Sequence, residues 1–365
     1  MFSRESGPAG HCTPAQDVVP SDVYKTKNGG GTAPYRHTGS KTVMRCFRPQ
    51  YLTFPAKYLY ASTGRYFRKA VEPCIKRGTD VFHVHYAYPG GCVIPGIKKD
   101  HPKAKVFLSV HGNDWYLNKK DPRIRKMIYR NMQFADRIFT VGRELEKDIS
   151  RTFPEIASRI RVLFNGVHEN IIHTEPLQST FSGTGRTKVL TVGAFAEGKG
   201  IHILLKALGL IGAKEFEVVV IGSVTDPEYF QYVKELRHAL NLDGNVKFLT
   251  DRSRKEVYQH MRECDFFILP SLKEGFGIAL VEALMFNKPV ISTLSGGPAD
   301  IVNDRNGLLV EPGDPEKLAG AIAIMNRNYH QYPEHVLSEE IRERFGMKKV
   351  MKTLLHYYTG DDHEH

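Results

Sequence analysis

From residue 42 onward the chain alternates short apolar runs with longer stretches whose apolar residues return at helical spacing. The runs TVMRCF (42–47), DVFHVH (80–85), KVFLSV (105–110), DRIFTV (136–141) and IRVLF (160–164) read as strands, with helical patterns around 65–77 and 121–134. After the polar stretch STFSGTGRT (179–187) the alternation restarts with KVLTVG (188–193), EVVVIGS (217–223), VKFL (246–249), DFFILP (265–270) and PVIST (289–293). Such β-α alternation predicts parallel sheets covered by helices on both faces. Two series predict two doubly wound domains, with a hinge near 165–187 and a cleft between the carboxyl ends of the two sheets. Residues 1–41 are rich in Gly, Pro, Ser and Thr, follow neither period, and read as a poorly ordered leader. The remaining divisions fall at 42–178, 179–338 and a C-terminal crossover helix and tail at 339–365.

At 365 residues the chain is long enough for two cores. No apolar run approaches the roughly 18 residues that span a bilayer, and the N-terminus MFSRESGPAGHCTP lacks the apolar core of a signal peptide, so a cytoplasmic location is expected. The five cysteines (Cys12, Cys46, Cys74, Cys92, Cys264) are scattered without C-x-x-C spacing and indicate neither a disulfide framework nor a zinc site. Charge changes the picture more. Residues 1–180 hold 29 Lys+Arg against 15 Asp+Glu, whereas residues 181–365 hold 22 against 25. The basic half suits an anionic partner. Taken alone, IKKDHPKAK (97–105) and KKDPRIRKMIYR (119–130) read as solvated faces, and no RNA-binding motif or aromatic-basic platform accompanies them.

The densest chemistry lies in SLKEGFGIALVEALMFNKPVISTLSGGPADIVNDRNGLLV (271–310). An apolar strand runs into a loop that Gly275 and Gly277 allow to turn tightly, and the helix IALVEALMF then starts with free amides directed at the loop, a phosphate-attracting arrangement. Glu282, about one turn inside that helix, can accept two hydrogen bonds from a ribose diol, and Glu274 can hold the hydroxyls of a second sugar across a diphosphate. The backbone of Phe276 and Gly277 is placed to meet phosphate, and Lys199, beyond Gly193 in GAFAEGKG, is the candidate cation. His111 ends the strand KVFLSV at the mouth of the cleft. His83 and His85 lack an accompanying acid or cysteine ligand, so no metal cluster is assigned.

These residues carry a family resemblance. EGFGIALVEAL resembles the E-x7-E signature of the retaining GT-B glycosyltransferases of family 4, and GGPADIV is similar to the GG-x-PE-I stretch that follows it. GAFAEGKGIHILLKAL (193–208), FNGV (164–167), SVHGND (109–114) and TDVFHVHYAYPGG (79–91) match further family segments in the family's order, over roughly residues 45–357. The resemblance implies an α/β GT-B fold, two Rossmann-like domains facing a cleft. It implies transfer of a sugar from a nucleotide diphosphate sugar, with no cofactor or metal requirement. His111, Lys199 and Glu274 are the implied catalytic residues, and Gly193, Lys199, Glu274, Gly275, Phe276, Gly277 and Glu282 the implied donor-binding residues. His111 is similar to the family's histidine that touches the donor sugar. Retention in the family is thought to need no protein nucleophile. A saccharide or lipid-linked saccharide acceptor is implied, in cell-wall or exopolysaccharide assembly of the teichuronic-acid type, with peripheral attachment to the inner face of an anionic membrane and no nucleic acid partner.

Two departures keep alternatives open. The family usually opens with an apolar strand, a Gly-rich loop and a helix, and the first sheet here lacks a recognisable copy of that strand. Ala194 stands where the family has an arginine, leaving Arg254 and Lys273 as candidate substitutes. A non-catalytic GT-B protein that binds a nucleotide sugar, or a nucleotide-sugar epimerase on the same fold, therefore remain as alternative readings.

Overall fold

A computed structural model describes residues 33–36, 43–46, 80–173, 181, 185–332 and 334–359. The chain divides into two units, Met1–Thr79 and Asp80–His365. In the first, strands Ala33–Arg36 (β1) and Val43–Cys46 (β2) pair antiparallel. Two expectations are corrected here. APYR, inside the span read as an unstructured leader, is a strand, and β2 pairs with it in a two-stranded sheet rather than opening the parallel one. The helical pattern at 65–77 lies outside the described residues.

The second unit contains two parallel sheets. Val81–His85 (β3), Lys105–Val110 (β4), Arg137–Thr140 (β5) and Ile160–Val162 (β6) lie in the order β3-β4-β5-β6. Thr187–Val192 (β7), Phe216–Gly222 (β8), Val246–Thr250 (β9), Phe266–Leu269 (β10), Val290–Thr293 (β11) and Gly307–Val310 (β12) lie in the order β12-β11-β10-β7-β8-β9. The order reverses between β7 and β10, so the loops leaving those two strands flank one crevice at their carboxyl ends. Lys199 and Glu274 belong to those loops. Strand β12 is not among the strands predicted from the sequence.

Local sequence explains the frame. Both faces of β8 and β10 are covered, and apart from Glu217, which pairs with Lys247, their residues are apolar on both faces or glycine, as buried parallel strands require. Three helices open with the dipeptide Asp-Pro, at Asp121, Asp226 and Asp314. In each the carboxylate accepts a backbone N–H of the first turn, and proline takes a position whose own N–H is not needed. Helix Arg254–Glu263 carries a capping box between Ser253 and Glu256. Leu204, Leu208, Val218, Val220, Phe266, Ile268, Ile322 and Met325 close the core between the six-stranded sheet and helices Ile201–Ile211 and Pro315–Asn328.

The two sheets are tied together by more than the linker. The Val167 N–H donates to Phe345 O at 2.8 Å and the Met347 N–H to Val167 O at 2.9 Å, where helices Glu334–Phe345 and Met347–Thr359 meet. From there the last helix reaches the first sheet, with Tyr358 against Phe107 (5.1 Å between ring centroids) and Tyr357 against Phe139 (5.0 Å).

Candidate active site

The loop after β10 holds the first carboxylate. Glu274 donates its N–H to Ser295 O at 3.0 Å and receives the Gly297 N–H on its carbonyl at 3.0 Å, so the loop is laced to the segment leaving β11. Its carboxylate accepts from Lys199 Nζ at 2.6 Å and Ser271 Oγ at 3.3 Å. Lys199 sits at the end of the 3-10 turn Glu197–Lys199, and its stem lies beside Gly193. Gly277 adopts φ +97°, a region that favours glycine, and caps helix Ile278–Met285 without any side-chain hydrogen bond. In the first turn the Leu280 N–H donates to Gly277 O at 2.9 Å, and no side chain covers the amides before it. The Phe276 ring points away from the loop into a stack with Phe164 (5.9 Å) and Phe345 (5.6 Å), so only its backbone can serve phosphate.

Glu282 is 7% exposed. Its Oε1 accepts from Arg254 at 3.2 Å and from Tyr258 OH at 3.2 Å, and no described donor reaches Oε2. Burial pushes the carboxyl pKa up, with Arg254 and the Tyr258 hydroxyl opposing that shift. The protein therefore holds a desolvated carboxylate with one oxygen still unclaimed, a costly arrangement that suits a bidentate hydroxyl donor.

Facing this loop is the end of β4. A Cβ added at Gly112 would lie 2.8 Å from the Cα of Gly275, so the backbones touch only because both residues are glycine. The His111 N–H and the Ala87 N–H both donate to the buried carboxylate of Asp114, at 2.9 and 2.6 Å. Burial nevertheless raises the Asp114 pKa to about 6. Across the strand pair, His85 Nδ1 lies 2.9 Å from His111 Nε2, and the rings of His83, His85 and His111 stack in sequence, with centroids 4.5 and 5.2 Å apart. Desolvation first, and His85 second, lower the His111 pKa to about 3, so the imidazole is neutral at physiological pH. Tyr86, with its ring 4.7 Å from His111, holds φ +70°, a strained backbone for a bulky residue.

Comparison with known proteins assigns this arrangement. The family described as Glycosyl transferases group 1 matches residues 175–344, and Glycosyltransferase Family 4 matches residues 19–170. An uncharacterized glycosyltransferase of Methanocaldococcus jannaschii is 31% identical over 270 residues, covering 74% of this chain and 69% of the relative. The chain belongs to the family 4 glycosyltransferases. A Bacillus subtilis relative named for teichuronic acid biosynthesis is 23% identical to this glycosyltransferase, over 86% of this chain and 79% of the relative. The Anabaena protein HepE, solved in complex with UDP, has the same fold with a TM-score of 0.70 at 20% identity, covering 81% of this chain and 82% of that one. The fold is GT-B.

In this glycosyltransferase Gly193, Lys199, Glu274, Gly275, Phe276 and Gly277 come together around the β7 and β10 loops, with Glu282 behind them on the helix and His111 opposite across the Gly112–Gly275 contact. Arg254, a candidate substitute for the arginine missing at Ala194, pairs with Glu282 at 3.2 Å. Lys273 lies 4.3 Å over the Tyr116 ring, turned toward the first sheet. Sequence reasoning missed Asp114, Asp300, Arg143, Tyr258 and the pairing of His85 with His111. The SVHGND and GGPADIV segments contained the two aspartates, but nothing in their spacing named the partners.

Proposed function

We propose that this glycosyltransferase moves a sugar from a nucleotide diphosphate sugar to a saccharide acceptor with retention of anomeric configuration. The observation that carries the reading is the pair of carboxylates on either side of an uncapped helix start. Glu274 is held by Lys199, and Glu282 has Oε2 unclaimed. Oε2 of Glu282 accepts from the ribose hydroxyls, the amides of Phe276 and Gly277 and the Lys199 ammonium meet the diphosphate, and Glu274 orients the donor sugar. The anomeric C–O bond breaks with its electron pair leaving on the phosphate oxygen. The acceptor oxygen then bonds to the anomeric carbon on the vacated face, and its proton passes to that phosphate oxygen. No protein atom becomes covalently attached. Lys199 and the amides stabilise the charge that develops on the diphosphate, so turnover needs no divalent ion. Neutral His111 serves as a hydrogen-bonding group at the sugar rather than as a cation.

The UDP seen in the Anabaena protein, also solved with UDP-glucose, supports a uridine nucleotide as the first donor to test. The relative named for teichuronic acid biosynthesis supports a cell-wall or exopolysaccharide acceptor, including one carried on lipid. A basic surface on the first sheet's side supports peripheral attachment to an anionic membrane. Helix Pro122–Phe134 exposes Arg123, Arg125, Lys126 and Arg130, and Leu117 on the preceding loop is 77% exposed. No helix among the described residues is long and apolar enough to cross a membrane. The reading is tested by incubating the protein with UDP-, GDP- and ADP-sugars and measuring free nucleotide. Release that depends on added saccharide acceptor is expected, and release that is unchanged by every acceptor contradicts transfer.

A further inference from the structure

We propose that His85 is a positioning residue for His111: its Nδ1 accepts the Nε2–H of His111, fixing that ring in one orientation and one tautomer, with Nδ1 presented to a hydroxyl of the donor sugar. The inference rests on the role given to His111 above.

The geometry supplies the argument. The two nitrogens are 2.9 Å apart, and the rings lie 27° from parallel with centroids 5.2 Å apart. A bond between two imidazole nitrogens requires that one carry a proton and the other a lone pair. The parallel register places His85 opposite Ser109, so His111, two residues further along, meets the end of β3 as the chain leaves β4. His85 is itself held by the stack with His83, whose Nε2 lies 2.8 Å from Ser109 Oγ and whose Nδ1 contacts the Tyr358 hydroxyl. The array is therefore anchored at its far end by the last helix and open at its near end toward the cleft. His111 is neutral near pH 7, so it has a single ring proton to place in the shared bond. No described group reaches His111 Nδ1. Because Nε2 is occupied, Nδ1 is the ring nitrogen left for substrate, and with the proton on Nε2, as proposed, Nδ1 is a lone-pair acceptor. Which nitrogen of a histidine carries the proton is set by what the other nitrogen binds, and here His85 makes that choice. A site built to accept a sugar hydroxyl discriminates strongly against the analogue that lacks it. The ligand class is thus a hexosyl donor with a free hydroxyl within reach of His111, and the matching deoxy-sugar nucleotide is disfavoured.

The test uses the full chain with 15N-labelled histidine and the variants His85→Leu and His85→Asn, the His111 signals being assigned by their loss in His111→Gln. In the wild-type protein without substrate, His111 should show a single Nε2–H tautomer. His85→Leu, which keeps bulk but cannot accept, should show a mixture of tautomers and lose about tenfold in kcat, with free-nucleotide binding unchanged. His85→Asn places a carboxamide where Nδ1 stood and should restore both the single tautomer and most of the rate, which a purely structural role of the histidine ring would not allow. An unchanged His111 spectrum in a folded His85→Leu protein overturns the pairing while leaving glycosyl transfer intact. A changed spectrum with unaltered turnover overturns the role of His111 at the donor sugar, and the inference with it.

Discussion

Asp300 of the six-stranded sheet's side accepts two hydrogen bonds from Arg143 of the four-stranded sheet's side, one from the backbone N–H at 2.7 Å and one from the guanidinium at 3.0 Å. Asp300 is 8% exposed, whereas the Arg143 side chain is 62% exposed. The backbone bond therefore carries more of the stability than the ion pair, which solvent screens. Asp300→Ala, which orphans an N–H as well as the guanidinium, should cost roughly 2–3 kcal/mol. Arg143→Ala keeps the N–H bond and should cost about 1 kcal/mol or less. Chemical denaturation of the two variants checks the ranking, and equal losses would show that the guanidinium governs the contact. Because the clasp joins the two sides of the cleft, Asp300→Ala should also raise the KM of the donor.

Lys199 and Glu274 form an ion pair at 2.6 Å. Donor binding gives Lys199 a diphosphate to face, and with Ala194 in place of a second cation its loss should be felt fully in the chemical step. Lys199→Met is expected to lower kcat by about 10²–10³-fold, the scale for removing one group that stabilises developing charge. The intact enzyme should keep its turnover in EDTA. Complete loss on chelation, restored by magnesium or manganese, would contradict the electrostatic account.

Glu282 links stability and binding in opposite directions. Its folded-state pKa is raised by burial, so its protonated form is favoured in the native protein, and the associated stability is present at low pH and lost as pH rises through that pKa. At neutral pH, Glu282→Gln removes the cost of the desolvated charge and should raise Tm in the absence of ligand. The same substitution should weaken nucleotide binding by roughly 1.5–3 kcal/mol, since the ribose hydroxyls lose a charged acceptor. Glu274→Gln should instead spare free nucleotide and weaken the nucleotide sugar. Calorimetric titration with UDP and UDP-sugar separates the two carboxylates, and unchanged nucleotide affinity in Glu282→Gln would remove its assignment to ribose.

The parts legible in the sequence were those encoded locally. The central strand β10, FFIL, is a continuous apolar run because both of its faces are covered, and β12 escaped notice because GLLV is short and opens on a turn glycine. Lys199, Glu274 and Glu282 could be located along the chain because each follows a recognisable strand or lies in the helix after one. Partnerships were less visible. Arg143 and Asp300 are separated by 157 positions, and their meeting depends on how the two sheets close. Arg254 looked available as a phosphate cation until the fold brought it to Glu282, and the bond between His85 and His111 follows from the register of β3 and β4. Pairing across strands leaves no periodic trace along the chain.

The basic helix Pro122–Phe134 allows the membrane part of the proposal to be tested residue by residue. Ile124, Ile128 and Met132 are buried against the first sheet's side, which commits Arg123, Arg125, Lys126 and Arg130 to the outer surface together with the exposed Leu117. Each Lys or Arg close to an anionic surface contributes about 1 kcal/mol. Reversing all four to Glu should therefore weaken binding to phosphatidylserine-containing vesicles by about three orders of magnitude or more, taking about 1.4 kcal/mol per tenfold. Exposed charge is screened within about 8 Å at about 0.15 M salt, so wild-type binding should fall steeply as salt is raised. Leu117→Ser should have a smaller effect that salt does not change, since it removes apolar contact and not charge. The four charge reversals fall on helix Pro122–Phe134, apart from the loops that carry Lys199 and Glu274, so turnover of that variant with a soluble acceptor should be preserved. Sedimentation that is equal with neutral and anionic vesicles, or insensitive to the four reversals, would leave the positive charge of residues 1–180 without a membrane role and direct attention to an anionic acceptor instead.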